Sequence, residues 1–221
     1  MSLLAINKLY YSSEEGKTVL ENISLSVGSG EIVILVGKSG AGKTLLLEII
    51  YGTAAPLTGD VIFKGVAVSD LKLKKNLSLG RSIAYLPKTG ILFHDRTVEE
   101  NIEFYLSLNS FVKKDKSGKK LAILIETGLN ESAAKEIASL SNFEKKKLAL
   151  AIVGINQPEL LLADSPADEL EPHSSEQIVQ YLQKVNKQGI AMLIATNNFE
   201  FAKNLRGKIF LLEEGKLKAI S

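Results

Sequence analysis

One segment limits the possible folds more than any other: GKSGAGKT, Gly37 to Thr44, which satisfies G-x-x-x-x-G-K-[ST] at every required position. It follows EIVILV, an apolar run that reads as a strand. It opens a second apolar run, Lys43 to Tyr51, that reads as a helix stopped near Gly52 with Pro56 beyond. Strand, glycine-rich loop and helix in that order make an anion cradle. Backbone N–H groups, freed to turn inward by Gly37, Gly40 and Gly42, wrap a β-phosphate at a helix N-terminus. Lys43 brings a point charge to the β- and γ-oxygens, and Thr44 brings a hydroxyl to a magnesium ion. Gly37, Lys38, Ser39, Gly40, Ala41, Gly42, Lys43 and Thr44 are therefore the candidate nucleotide-binding residues, with ATP and Mg2+ as the implied ligands. A chance glycine-rich turn is the competing reading.

The rest of the chain supplies the frame such a loop needs. Strands are expected at Ser2 to Leu9, Val19 to Val27, Glu31 to Val36, Asp60 to Phe63 and Ser82 to Leu86. From Thr97 the pattern turns helical, with Thr97 and Glu100 spaced as a capping box; Ser141 and Glu144 repeat that spacing before a helix running to about Asn156. The tract KKDKSGKK, Lys113 to Lys120, reads as a solvated basic turn. After Pro158, LLLAD reads as a buried parallel strand, followed by an amphipathic helix (Ile178, Val179, Leu182, Val185), the strand IAMLIAT, and a hairpin turning at Glu214-Gly215. Strands alternating with helices imply an α/β fold with a parallel sheet covered on both faces. Residues 1–96 and 157–221 form the expected sheet lobe and 97–156 an inserted helical lobe.

Magnesium bound beside a phosphate loop needs a second oxygen ligand at the end of a buried strand. Asp164, which ends LLLAD, fits that place, as does an ordinary strand-end Asp. Cysteine is absent, which excludes disulfides, thiolate metal sites and cysteine nucleophiles. Lys and Arg number 27 against 25 Asp and Glu, a net charge of +2, too small for a general nucleic-acid field. The first residues are too polar for a signal peptide. The longest apolar run, Leu148 to Ile155, falls far short of the ~18 residues a membrane span needs.

Beyond these motifs, four strings together resemble the ATP-binding subunit of an ABC transporter: ENISLSVGSGEIVILVGKSGAGKT, DRTVEENI, LLLADSPADELEP and LIAT before Asn197. The likeness covers essentially the whole chain. DRTVEENI, preceded by ILFH, is most similar to the cell-division ATPase family FtsE, and next to lipoprotein-release and macrolide-export ATPases. The resemblance implies a P-loop NTPase of the ABC nucleotide-binding type, with an N-terminal antiparallel β-subdomain and an inserted helical subdomain. It implies adenine stacking on Tyr10, with Tyr11 as the fallback and packing on the sheet as the competing role. It also implies an FtsX-like or other membrane permease as partner, pairing with a second ATP-binding subunit, no nucleic acid, and a cytoplasmic, peripheral place on the cell membrane. Residues near Lys88 to Asp95 would face a permease coupling helix, Leu92 and Phe93 offering either an apolar contact there or core packing.

The chain departs from that family where the γ-phosphate is sensed. Ser165 stands where the family places a water-polarising Glu, and Asn197 where it places the switch His, so neither is a confident catalytic residue. Lys88 replaces a glutamine; it can meet a phosphate as a cation or be a solvated loop residue. The signature LSGGQ appears as LSNFE. Ser141 there keeps a hydroxyl for ATP held by a partner, while Asn142 and Phe143 replace glycines and Glu144 is expected to cap a helix. Glu171 replaces an Asp before Pro172. His94 and His173 fall at no matching position and read as exposed loop residues. The expectation is Mg-ATP binding with weak or absent hydrolysis. A competent ATPase remains an alternative, and so does a soluble P-loop kinase or GTPase, although the guanine motif Asn-Lys-x-Asp appears nowhere.

Overall fold

The computed structural model describes residues 2–73, 82–108 and 116–220. They form two compact units, one of Met1–Lys88 with Pro158–Ser221 and one of Thr89–Gln157.

The first unit is built on two sheets. β1 (Ser2–Ser12), β2 (Thr18–Gly28), β4 (Thr58–Phe63) and β5 (Val66–Ala67) make an antiparallel sheet in the order β2-β1-β4-β5. β1 runs three residues past the expected Leu9. Its buried residues Leu4, Ile6 and Leu9 break strict alternation, and the pairing shifts register between Ile6 and Leu9. Lys8 takes a left-handed φ of 44° there, and the extra residue of that bulge turns Leu9 back to the core. On β2, Asn22 at φ 52° does the same between Leu20 and Ile23.

The second sheet contains β3 (Ile32–Val36), β6 (Ile83–Leu86), β7 (Leu160–Asp164), β8 (Ala191–Thr196), β9 (Lys208–Glu213) and β10 (Lys216–Ala219), in the order β10-β9-β3-β8-β7-β6. All neighbours are parallel except the C-terminal hairpin β9-β10. Every residue of β3, β7 and β8 is buried, as their unbroken apolar runs require of a sheet covered on both sides. On one face lies α1 (Lys43–Tyr51), whose Leu46 and Leu47 join a core with both sheets, and a short α2 (Val68–Leu73) follows β5. Each such leucine contributes roughly 1.5–3 kcal/mol over exposure. Toward the other face pack α6 (Pro172–Asn186) and α7 (Phe199–Leu205), with Ile178, Leu182 and Ala202 fully buried.

The second unit packs α3 (Val98–Leu108), α4 (Lys116–Thr127) and α5 (Asn142–Val153) around Ile102, Leu106, Leu148 and Ile152. Both expected capping boxes form: Thr97 N–H donates to Glu100 Oε2 and Glu100 N–H to Thr97 Oγ1, and Ser141 and Glu144 exchange the same pair. The unit begins at Thr89 rather than Thr97. Ile91 and Leu92 pack on its core, and the buried Asn101 side chain accepts from Phe93 N–H and donates to the Phe93 carbonyl. Phe93 is half-buried, its ring edge-on to Phe104 at 4.8 Å. These contacts belong to folded neighbours, not to local periodicity.

Two further expectations change. Lys113–Asp115 lie outside the described residues, whereas Lys116–Lys120 are helical, because Lys120 pairs with Glu99 and Glu103 on α3 while Ile123 and Leu124 anchor the helix. His94 is exposed in a turn, but His173 sits in the first turn of α6, where Pro172 occupies an early helical position.

Candidate nucleotide site

The phosphate loop leaves the end of β3, a strand held between β8 and β9, so its first residue is fixed by the middle of the sheet. Gly37 is required by crowding and not by an inward-turning φ: a β-carbon there would run into the carbonyl oxygen of Leu212 on β9. Gly42 is required by conformation. It caps α1 at φ 98°, a left-handed value that a side chain would strain. Lys43, 8% exposed, folds over the loop and donates from Nζ to the carbonyls of Gly37 at 2.7 Å and Lys38 at 2.9 Å. Burial lowers the pKa of its ammonium below the ordinary lysine value; Asp164 and Asp168 oppose that shift, and Lys88 adds to it. A buried cation so placed gains from an arriving phosphate anion.

Across 120 residues of sequence, Thr44 Oγ1 donates to Asp164 Oδ2 at 2.5 Å. Asp164 ends β7 and is 1% exposed. A hydroxyl and a carboxylate that already meet beside an ammonium are the oxygen donors that a magnesium phosphate takes. The residues present fit Mg2+, with Thr44 and Asp164 to hold it.

The same groups line a cavity of about 330 Å³, in which Ser39, Gly40, Gly42, Lys43 and Thr44 stand on the loop side. Opposite them are Lys88, Asp164, Ser165 and Asn197, so β6, β7 and β8 each deliver one of the altered positions to a single place. Ser165 is buried, at the left-handed φ of 55°, and its Oγ donates to Asp164 Oδ1 at 3.2 Å. Backbone strain in a non-glycine residue beside a phosphate loop is the kind found at functional sites. Lys88 and Asn197 are exposed.

Tyr10 and Ser141 are not among the residues lining this cavity. Tyr10 lies on the face of β1 opposite the core-packed Leu9 and Tyr11, which leaves its ring half-exposed. Ser141, in the other unit, is engaged as the cap of α5. Sequence reading missed two carboxylates that face the cavity. Asp168 accepts from Thr196 Oγ1 at 3.1 Å, and Glu48 lies one helical turn beyond Thr44. The i, i+4 spacing of Thr44 and Glu48 carried the second of these; nothing local carried the first.

The ABC transporter family profile matches residues 20–168. A methionine import ATP-binding protein MetN of Corynebacterium diphtheriae is 29% identical over 213 residues, 96% of this chain and 63% of that protein. The chain thus spans less than two thirds of the length of that relative. A cell division ATP-binding protein FtsE of Streptococcus pneumoniae is 28% identical over 217 residues, 98% of this chain and 94% of FtsE. Among solved structures, CbiO1 of Clostridium perfringens, part of the ABC transporter complex CbiONQ, superposes with a TM-score of 0.85 at 25% identity, covering 98% of this chain and 87% of that one. The ATP-binding cassette MJ0796, in a dimeric post-hydrolysis state bound to ADP and Pi, gives 0.84 at 25% identity over 99% of both chains.

Proposed function

The chain belongs to the ABC transporter family, and from that premise we propose that it is an ATP-binding subunit that holds Mg-ATP, hydrolyses it slowly and acts by pairing on a membrane permease. The observation that carries this reading is the asymmetry of the cavity. Lys43, Thr44 and Asp164 are buried or tied together, whereas position 165 offers a hydroxyl that donates to Asp164 in place of a carboxylate able to take a proton from water. Losing a positioned general base costs about 10²–10⁴-fold in rate.

Pairing with a second ATP-binding domain is supported by the dimeric relative, and a permease partner by the complex to which CbiO1 belongs. Among the described residues no helix is long and apolar enough to cross a membrane. An FtsE-like role with an FtsX-like permease fits the length match: MetN and FtsE are about equally identical to this chain, but the chain spans 94% of FtsE against 63% of MetN. Such a subunit would sit at the cytoplasmic face of the membrane.

The experiment is a direct comparison of ATP binding with steady-state turnover in clean protein. Binding in the presence of Mg2+ with turnover well below ~1 s⁻¹ is expected; turnover at or above that rate overturns the slow-hydrolysis reading. The second reading, a competent ATPase, draws on Asp168, a carboxylate in the same cavity held in place by Thr196. Under that reading Asp168→Asn lowers turnover and Ser165→Glu changes it little.

A further inference from the structure

Asp168 puts a fixed negative charge in the nucleotide cavity that neither the phosphate loop nor the cation requires. After β7 the chain turns sharply: Ser165 takes its left-handed φ, and Asp168 N–H donates back to the Ser165 carbonyl at 3.3 Å. The side chain is then pinned from the next strand. Thr196, fully buried at the end of β8, donates from Oγ1 to Asp168 Oδ1 at 3.1 Å. The same Oγ1 accepts from the Asn198 N–H at 3.0 Å, so its own proton is committed to the carboxylate. Asp168 stays half-buried and lines the cavity with Ser165, Lys88 and Asn197.

The position decides what that charge meets. The loop side, Ser39 to Thr44, takes the β-phosphate, so a third phosphoryl group extends across the cavity toward the opposite wall. A diphosphate ends before that wall. Of the carboxylates there, Asp164 is matched by the cation it holds with Thr44, which leaves Asp168. Glu48, also in the cavity, stands on α1 one turn past Thr44, on the loop side. Lys88 is the cation of the wall, but it is exposed on a long stem, where solvent screens its charge. Asp168 is held by a buried donor, so its charge cannot swing away from an arriving anion. Burial lowers the Lys43 pKa, and Asp168, after Asp164, opposes that shift, as a carboxylate within reach of the same ammonium does. A like charge set against one ligand discriminates as firmly as an attractive contact to another.

We propose that Asp168 is a specificity-determining residue: its carboxylate opposes the γ-phosphate and leaves the β-phosphate untouched, so the site holds a nucleoside diphosphate at least as tightly as the triphosphate. The inference rests on the nucleotide-binding reading above and adds which nucleotide that site retains. Hydrolysis, however slow, then leaves its product in place, and emptying the site becomes an event separate from cleavage.

The test is calorimetric titration of the full chain with Mg-ADP and with Mg-ATP, in wild type and Asp168→Asn, alongside steady-state ATP turnover. The amide keeps an oxygen for Thr196 and removes the charge. Wild type is expected to bind Mg-ADP at least as tightly as Mg-ATP. Asp168→Asn is expected to bind Mg-ATP about 10-fold more tightly, the size of a partly screened unit-charge repulsion, with Mg-ADP affinity unchanged. A residue that only braced the turn after β7 would move both affinities together. If Asp168→Asn fails to fold, Asp168→Ser carries the same expected shift. Tighter wild-type binding of Mg-ATP than of Mg-ADP overturns the inference and leaves nucleotide binding standing. Equal shifts for the two nucleotides, or none for Mg-ATP, do the same. So does a fall in turnover without a gain in Mg-ATP affinity, which marks a general base. A wild-type chain that binds neither nucleotide overturns both readings.

Discussion

The two sides of the cavity differ in how firmly the fold holds them. On the loop side Lys43 is buried and bonded to two carbonyls, and Thr44 is tied to Asp164 across the sheet. On the other side Lys88 and Asn197 are exposed, and Ser165 spends its hydroxyl on a neighbouring carboxylate. Hydrogen bonds tie the first set together, while the loops after β6, β7 and β8 carry Lys88, Ser165 and Asn197. Under the proposed function the site keeps its grip on nucleotide while turning it over slowly, because different elements supply the two sets.

The sharpest attack on that contrast is Lys43→Ala. Hydrogen bonds to charged groups contribute about 1.5–3 kcal/mol each, so losing two phosphate contacts predicts a fall in ATP affinity of about 10²–10⁴-fold, measured by calorimetry. Unchanged affinity would dissolve the contrast at its stronger end. Next is Ser165→Glu, expected to raise steady-state turnover about 10²-fold, the low end of general-base catalysis. No gain would mean that the exchanged side was never limiting.

Smaller effects belong to the helical unit, where Ser141 serves as a cap. Ser141→Ala is expected to cost about 1 kcal/mol of stability in thermal unfolding and to leave ATP affinity in the isolated chain unaltered. The same box makes an acid-side prediction. Hydrogen bonds from Ser141, first from its side chain and then from its backbone, hold the Glu144 carboxyl below its ordinary value. A carboxylate with a depressed folded pKa adds stability above its unfolded value of 4.5, and that stability is lost as pH falls through the folded value. Melting curves from pH 6 down to about pH 3 should thus fall less steeply in Ser141→Ala than in wild type.

What the sequence made legible was local. The start of α1 at Lys43 and its end before Gly52 follow from the loop motif and a left-handed stop, and both capping boxes follow from a three-residue spacing. What it hid was set by distant neighbours. Asp168 reaches the cavity because Thr196, on another strand, holds its carboxylate. The helical unit starts at Thr89 because Asn101 reaches back to Phe93. Lys116–Lys120 looked like a turn by charge and Gly118, yet ion pairs to α3 and the apolar seam of α4 keep the helix going. Pro172 signalled a helix start that would have placed His173 correctly.

The carbonyl of Leu212 against Gly37 has an implication for biosynthesis. The cradle is encoded early in the chain, but the wall behind it belongs to the last hairpin, and the strand before the cradle is flanked by β8 and β9. A ribosome must make some 170 more residues after the loop before its surroundings exist. Until then the nascent motif is a glycine-rich tract without its backing, and its capacity for nucleotide arrives only once β9 has been made.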